Sequence, residues 1–196
     1  MGVTISNKLG QTKQNVKTTL DNAQTFAESL RGNVSDGVEI EIRRLSDYQL
    51  LIDVAGCETL GFHFKSVADI NANSKDGFSY EHAVLTNGGK LTLDAGYLIA
   101  EYPQNEKWYS ADFCKTQFAG SSIAHKIVAD IIKIVASRCF YAEVNDEGDY
   151  YHTGILGDAV RAIRENGKLI DSLTGQLKAK GWQDDNITKG ETKIGK

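Results

Sequence analysis

The sequence predicts an α+β fold. It has an antiparallel, meander-like sheet of about five or six strands, with an N-terminal amphipathic helix and two C-terminal helical segments packed on it. Three observations carry this prediction. Residues 121–140, SSIAHKIVADIIKIVASRCF, place Ile123, Ala124, Ile127, Val128, Ile131, Ile132, Ile134 and Val135 around most of a helical circumference. A helix that apolar persists in water only where other elements cover it. Residues 38–43 alternate strictly, with Val38, Ile40 and Ile42 on one side and Glu39, Glu41 and Arg43 on the other, as a half-buried strand does. Thr86-Asn87-Gly88-Gly89-Lys90 lies between the runs 78–85 and 91–93, which is a hairpin signal.

Taken in chain order, residues 8–31 read as the first helix: Leu9, Val16, Leu20, Ala23, Ala27 and Leu30 recur at helical spacing, with Phe26 beside the seam. Gly32 and Asn33 supply its stop. The helix either packs on its own sheet or offers a coiled-coil seam. After the strand at 38–43, Ser46-Asp47 offers a turn, and Leu50, Ile52 and Val54 form a second strand ended by Gly56. Phe62-His63-Phe64-Lys65 alternates again, and residues 97–102 complete the β-rich run. Spacings this short permit hairpins and exclude βαβ crossovers. The apolar helix follows, with Lys126, Asp130, Lys133 and Ser137 on its one polar face. Residues 140–144 either extend it or form a last strand; periodicity does not decide. Residues 155–182 are helical, with Leu156, Val160, Ile163, Ile170, Leu173 and Leu177 on one side. Asn166-Gly167 either splits that helix or marks a close helix contact. The expected organisation is one domain over 1–182, built of an N-terminal helix (1–33), a β-rich part (34–118) and a helical part (119–182), with a polar, frayed tail at 183–196.

Composition narrows the function classes. Of 196 residues, 41% are hydrophobic and 24% charged, enough apolar material for a core without metal or disulfide support. The net charge is −4, yet residues 141–158 hold Glu143, Asp146, Glu147, Asp149 and Asp158 with no Lys or Arg. Mildly basic ends flank this acidic interior, and no basic stripe of the kind phosphate neutralisation needs is visible, so nucleic acid is not an expected partner. Cys57, Cys114 and Cys139 are odd in number and form no CxxC; they fit a reducing cytosol. The first residues carry no apolar signal core, and every long apolar cluster is interrupted by Lys or Asp. A cytoplasmic protein with no membrane span is therefore expected.

Two segments offer chemistry. At the start of the apolar helix, Ser121, Ser122, His125 and Lys126 combine exposed amides, a helix dipole and a cation, a place for a small anionic ligand. Ser121 and His125 also stand four apart on one helical face. The plainer role of Ser121 is to cap the helix. The second segment is acidic and aromatic: Asp146, Glu147, Asp149, Tyr150, Tyr151 and His152, with Glu143 just before it. It suits a partner-binding surface, and its plainer role is a solvated turn between two helices. The aromatic run Tyr97, Tyr102, Trp108, Tyr109 and Phe113 either floors an apolar pocket or packs in the core and at a sheet edge. Asp69-Ile70-Asn71-Ala72-Asn73 opens like a calcium loop, but Ser74 stands where the turn wants Gly and Tyr80 where a bidentate Glu is needed. His63, His82, His125 and His152 lie far apart with no HxxxH, so no metal site and no cofactor is expected. There is no GxSxG and no GxxxxGK[ST].

The residues carry no resemblance to a known family. Two functions remain. The first is a non-enzymatic binding or assembly protein, homo-oligomeric or bound to a protein partner through its helical and aromatic/acidic surfaces. The second is a small hydrolase or transferase holding an anionic ligand around residues 121–126.

Overall fold

The computed structural model describes residues 3–31, 38–66, 106–116 and 122–179. The expected 86–90 hairpin, the 97–102 strand, the 69–73 loop and the 183–196 tail lie outside these residues, as do Gly32 and Asn33. The α+β class with antiparallel sheets is present, but as two sheets rather than one meander. A four-stranded sheet has the order β5-β6-β1-β7, where β1 is Thr4–Thr12, β5 Lys65–Ser66, β6 Lys107–Lys115 and β7 Tyr141–Asp146. A three-stranded sheet has the order β2-β3-β4, where β2 is Ile40–Ser46, β3 Gln49–Val54 and β4 Leu60–His63. The helices are α1 (Lys13–Leu30), α2 (Ser122–Ala136), the single turn α3 (Tyr150–Thr153) and α4 (Leu156–Ala179).

The three-stranded sheet is the meander that alternation predicts. Ile40 pairs with Val54 and Ile52 with Leu60, and Ile40, Leu50, Ile52, Leu60 and Phe62 turn inward as every second residue. Gly56, at φ 78°, makes the turn after β3 in a conformation that L side chains rarely adopt.

The four-stranded sheet departs from the expected order. Residues 4–12, of which 8–12 read as helix and 4–7 carry no assignment, form β1, which lies between β6 and β7. Thr4 pairs with Lys115 and Thr12 with Lys107 on one side, while Ile5 pairs with Asp146 on the other. The helix therefore begins at Lys13, not Lys8. Its buried residues, Val16, Thr19, Leu20, Ala23 and Ala27, keep the predicted seam from Val16 onward. Residues 141–146 are a strand, which decides the open choice at 140–144. Gly167 does not split the last helix: α4 runs unbroken through it.

The two sheets meet along β6. Glu58 N donates to Lys115 O at 2.8 Å, and Lys65 pairs with Tyr109. Between these points side chains replace the ladder: Gly61 N donates to Asp112 Oδ2 at 2.6 Å and His63 N to Ser110 Oγ at 2.9 Å. Burial pushes the Asp112 carboxyl up to about 6; hydrogen bonds from Phe113 N and Gly61 N oppose this, and nearby Glu58 reinforces it. The folded chain thus holds this proton more tightly than the unfolded one. The Asp112 contribution is expected to favour folding by on the order of 2 kcal/mol as pH falls from about 7 to about 4. Urea denaturation at several pH values checks this, and Asp112→Asn should flatten that part of the profile.

α2 is the centre of the core. Ala124, His125, Ile127, Val128, Ala129, Ile131, Ile132, Val135 and Ala136 are buried, and the helix touches α1, α3, α4, β1 and β3. Lys126, Asp130 and Lys133 form its narrow polar face, as predicted, and are half-buried.

Candidate functional site

The two segments that the sequence offers separately meet in space. His125, in the first turns of α2, projects inward instead of toward solvent. Its Nδ1 lies 2.7 Å from Thr116 Oγ1, and its Nε2 lies 3.2 Å from Asp146 Oδ1 at the end of β7. Thr116 Oγ1 is also 3.3 Å from Val3 O. One imidazole therefore joins α2 to the start of β1, the end of β6 and the end of β7, three neighbouring strand ends of one sheet. Asp146 is saturated: Oδ1 accepts Gly148 N at 2.7 Å and Oδ2 accepts Tyr151 N at 2.7 Å. Burial pushes its carboxyl up, but the bonds from His125, Tyr151 N and Gly148 N outweigh that and hold it below the usual carboxylate range.

The turn after β7 is shaped to this pair. A Cβ on Gly148 would stand 2.6 Å from His125 Cε1 and Nε2, closer than real contacts allow. Gly148→Ala is expected to cost about 1–3 kcal/mol, because a packed core side chain must move; thermal melting against wild type measures it. Asp149 follows at φ 59°, a left-handed conformation for a non-glycine. Its carbonyl accepts Thr153 N at 2.9 Å, closing α3. Glu147, exposed, clasps β1 through Thr4 N to its Oε2 at 2.8 Å and through its own N to Thr4 O at 3.1 Å.

Outside the buried pair lies a charged, aromatic surface. Tyr150 is buried edge-on to His125, at 6.5 Å between ring centres, and its hydroxyl reaches Asp130 Oδ1 at 3.3 Å. Lys133 Nζ stands 4.6 Å from the Tyr150 ring centre and 5.5 Å from that of Tyr151; Lys126 Nζ stands 5.7 Å from Tyr150. Lys126 bonds Asp130 at short range, and this bond, first among the causes, raises its ammonium above the usual lysine value. Burial, by contrast, is what raises the Tyr151 hydroxyl. His152 is exposed, its ring edge-on to Tyr151 at 5.0 Å. Ser122 is half-buried at the start of α2; Ser121 lies outside the described residues.

The chemistry of this arrangement is set by access. Hydroxyl, imidazole and carboxylate stand in the order that activates a nucleophile, but Thr116 and His125 are fully buried and Asp146 is 4% exposed. A substrate atom has no place beside them. The three groups instead satisfy one another, as buried polar groups must. Among the described residues, no group of three or more His, Cys, Asp or Glu can hold a metal ion.

Sequence reasoning missed Thr116 and the pairing of His125 with Asp146, because no local pattern links residues on different elements. It also missed a cavity of about 400 Å³ at the start of α1, lined by Thr12, Lys13, Gln14, Lys17, Asp47, Tyr48 and Glu106. Tyr48 stacks on Trp108 behind it, with ring centres 4.3 Å apart. Two lysines face two carboxylates there, so the charges cancel and no ligand class is selected. Among the described residues no helix is long and apolar enough to cross a membrane. Comparison with protein-family models, with curated proteins and with solved structures found no match to this chain.

Proposed function

We propose that this is a non-enzymatic binding and assembly protein that associates with a second copy of itself along α4. The observation that carries this reading is the outward apolar face of that helix. α4 spans Leu156–Ala179, and among its described side chains only Ala159 is buried. Ile155, just before it, and Val160, Leu169 and Leu173 stand exposed. A helix of this length extends about 36 Å, far more than its contacts with α2 and α3 need. Ile163 and Ile170 stand seven residues apart, with Asn166 and Leu173 three further on. That spacing matches a like helix better than it matches a sheet. The flanking charges Asp158, Arg161, Arg164, Glu165, Lys168 and Asp171 are three of each sign, so a copy of the helix is not repelled. Gly167 stands mid-helix with nothing within 4 Å of an added Cβ, room that a closely approaching helix can use.

Sedimentation velocity tests the reading. Wild type is expected as a dimer or higher oligomer at micromolar concentration, and Leu169→Glu/Leu173→Glu as a monomer with its circular dichroism unchanged. A wild type that stays monomeric at about 100 μM would overturn it. The edge of half-buried Tyr151 and exposed His152, continuous with α4 through α3, is the part of the acidic segment left open to a further protein partner. The hydrolase or transferase alternative needs His125 in reach of a ligand, and its burial gives that alternative no support.

A further inference from the structure

We propose that Cys57 and Cys114 are a modification site: a dithiol that closes to an intramolecular disulfide on exchange with a small-molecule disulfide, tying one sheet covalently to the other. Cys57 lies in the turn between β3 and β4 of the three-stranded sheet, and Cys114 lies on β6 of the four-stranded one. Both are free and buried. The backbone fixes the approach: Cys57 N donates to Val54 O at 2.9 Å, Glu58 N to Lys115 O at 2.8 Å, and Cys114 Sγ lies 3.0 Å from Glu58 O. The two sulfurs therefore sit where the sheets join, on segments already held together by main-chain bonds.

The neighbouring Cys57 thiol, then burial, raises the Cys114 thiol well above its usual range. Cys114 is fully buried and Cys57 is 5% exposed, so Cys57 meets the reagent first. Its thiolate attacks one sulfur of the small disulfide, releasing one thiolate and leaving a mixed disulfide on Cys57. Cys114 then loses its proton and attacks Cys57 Sγ, releasing the second small thiolate. The protein gives up two protons and two electrons, and one small disulfide becomes two thiols. Burial makes the first step slow in the native state and faster whenever the β3–β4 turn opens. The third cysteine, Cys139, follows α2, and burial pushes its thiol up to about 12.

The test is incubation of the full chain with oxidised glutathione, then acid quenching and peptide mapping. The expected product is a Cys57–Cys114 disulfide without retained glutathione, formed equally by Cys139→Ser and by neither Cys57→Ser nor Cys114→Ala. The ring it closes, residues 57–114, should raise the melting midpoint of the oxidised protein by about 5–10 °C over the reduced one. Stable glutathione adducts on Cys57, pairing with Cys139 instead, or no oxidation even in mild urea would overturn the proposal. None of these outcomes depends on whether α4 self-associates.

Discussion

Asp146→Ala is expected to lower folding stability by about 3–5 kcal/mol, because it leaves a buried imidazole without its counterpart and strips two backbone amides of their acceptor. The residue has no freedom to compensate: His125, Gly148 N and Tyr151 N all converge on it, and nothing in the core can replace those bonds. Urea denaturation at about pH 7 measures the loss. A loss below about 1 kcal/mol would mean that the pair is solvated rather than sealed. The partner change, His125→Ala, should cost a similar amount. The double variant should then cost less than the sum of the two, since each single change already breaks the same bond. The lowered Asp146 carboxyl adds a pH signature: its contribution is fully present above the usual aspartate range and is lost on acidification below it. That is opposite in sign to the Asp112 effect and falls at lower pH.

Ile131→Ala is expected to cost about 2–5 kcal/mol. Ile131 is fully buried in α2, which has α1, α3, α4 and two strands around it. A helix boxed in on that many sides cannot collapse into the space left by the lost methyl groups. The cavity is therefore retained, which puts the cost in the upper half of that range. Thermal and chemical melts measure it. Leu45→Ala, on a side chain that is 56% exposed, should change stability by less than about 0.5 kcal/mol in the same assay.

Which parts of this fold the sequence revealed depended on whether burial was visible as apolar residues. α2 announced itself because nearly every inward position is Ile, Val or Ala. The β2–β3–β4 meander did so because Val38, Ile40 and Ile42 alternate with Glu39, Glu41 and Arg43, and Leu50, Ile52 and Val54 recur at every second position. β1 stayed hidden because its inward positions, Ile5, Asn7, Leu9 and Gln11, are half polar. Gln11 is accommodated there by Thr19 Oγ1 at 3.1 Å, a partner that only the folded chain supplies. Leu9 then fell in register with Val16 and extended the helical pattern five residues too far, to Lys8. β7 was ambiguous for the same reason: its one buried residue is a carboxylate, Asp146. The candidate site was legible as two lists of residues but not as one place. Ser122, His125 and Lys126 promised an exposed helix start, and Asp146 to His152 a solvated turn. A backbone pairing of Ile5 with Asp146 and a helix packed over it bring them together, with His125 and Asp146 facing inward.

Carbethoxylation of the native protein with diethyl pyrocarbonate, read residue by residue, tests this most directly. His152, exposed, should be modified readily, while His125, shut between Thr116 and Asp146, should stay untouched until the chain is unfolded. Modification of His125 at a rate comparable to that of His152 in the folded protein would put the imidazole in solvent. It would then contradict both the sealed core and the assignment of function to the outer surface.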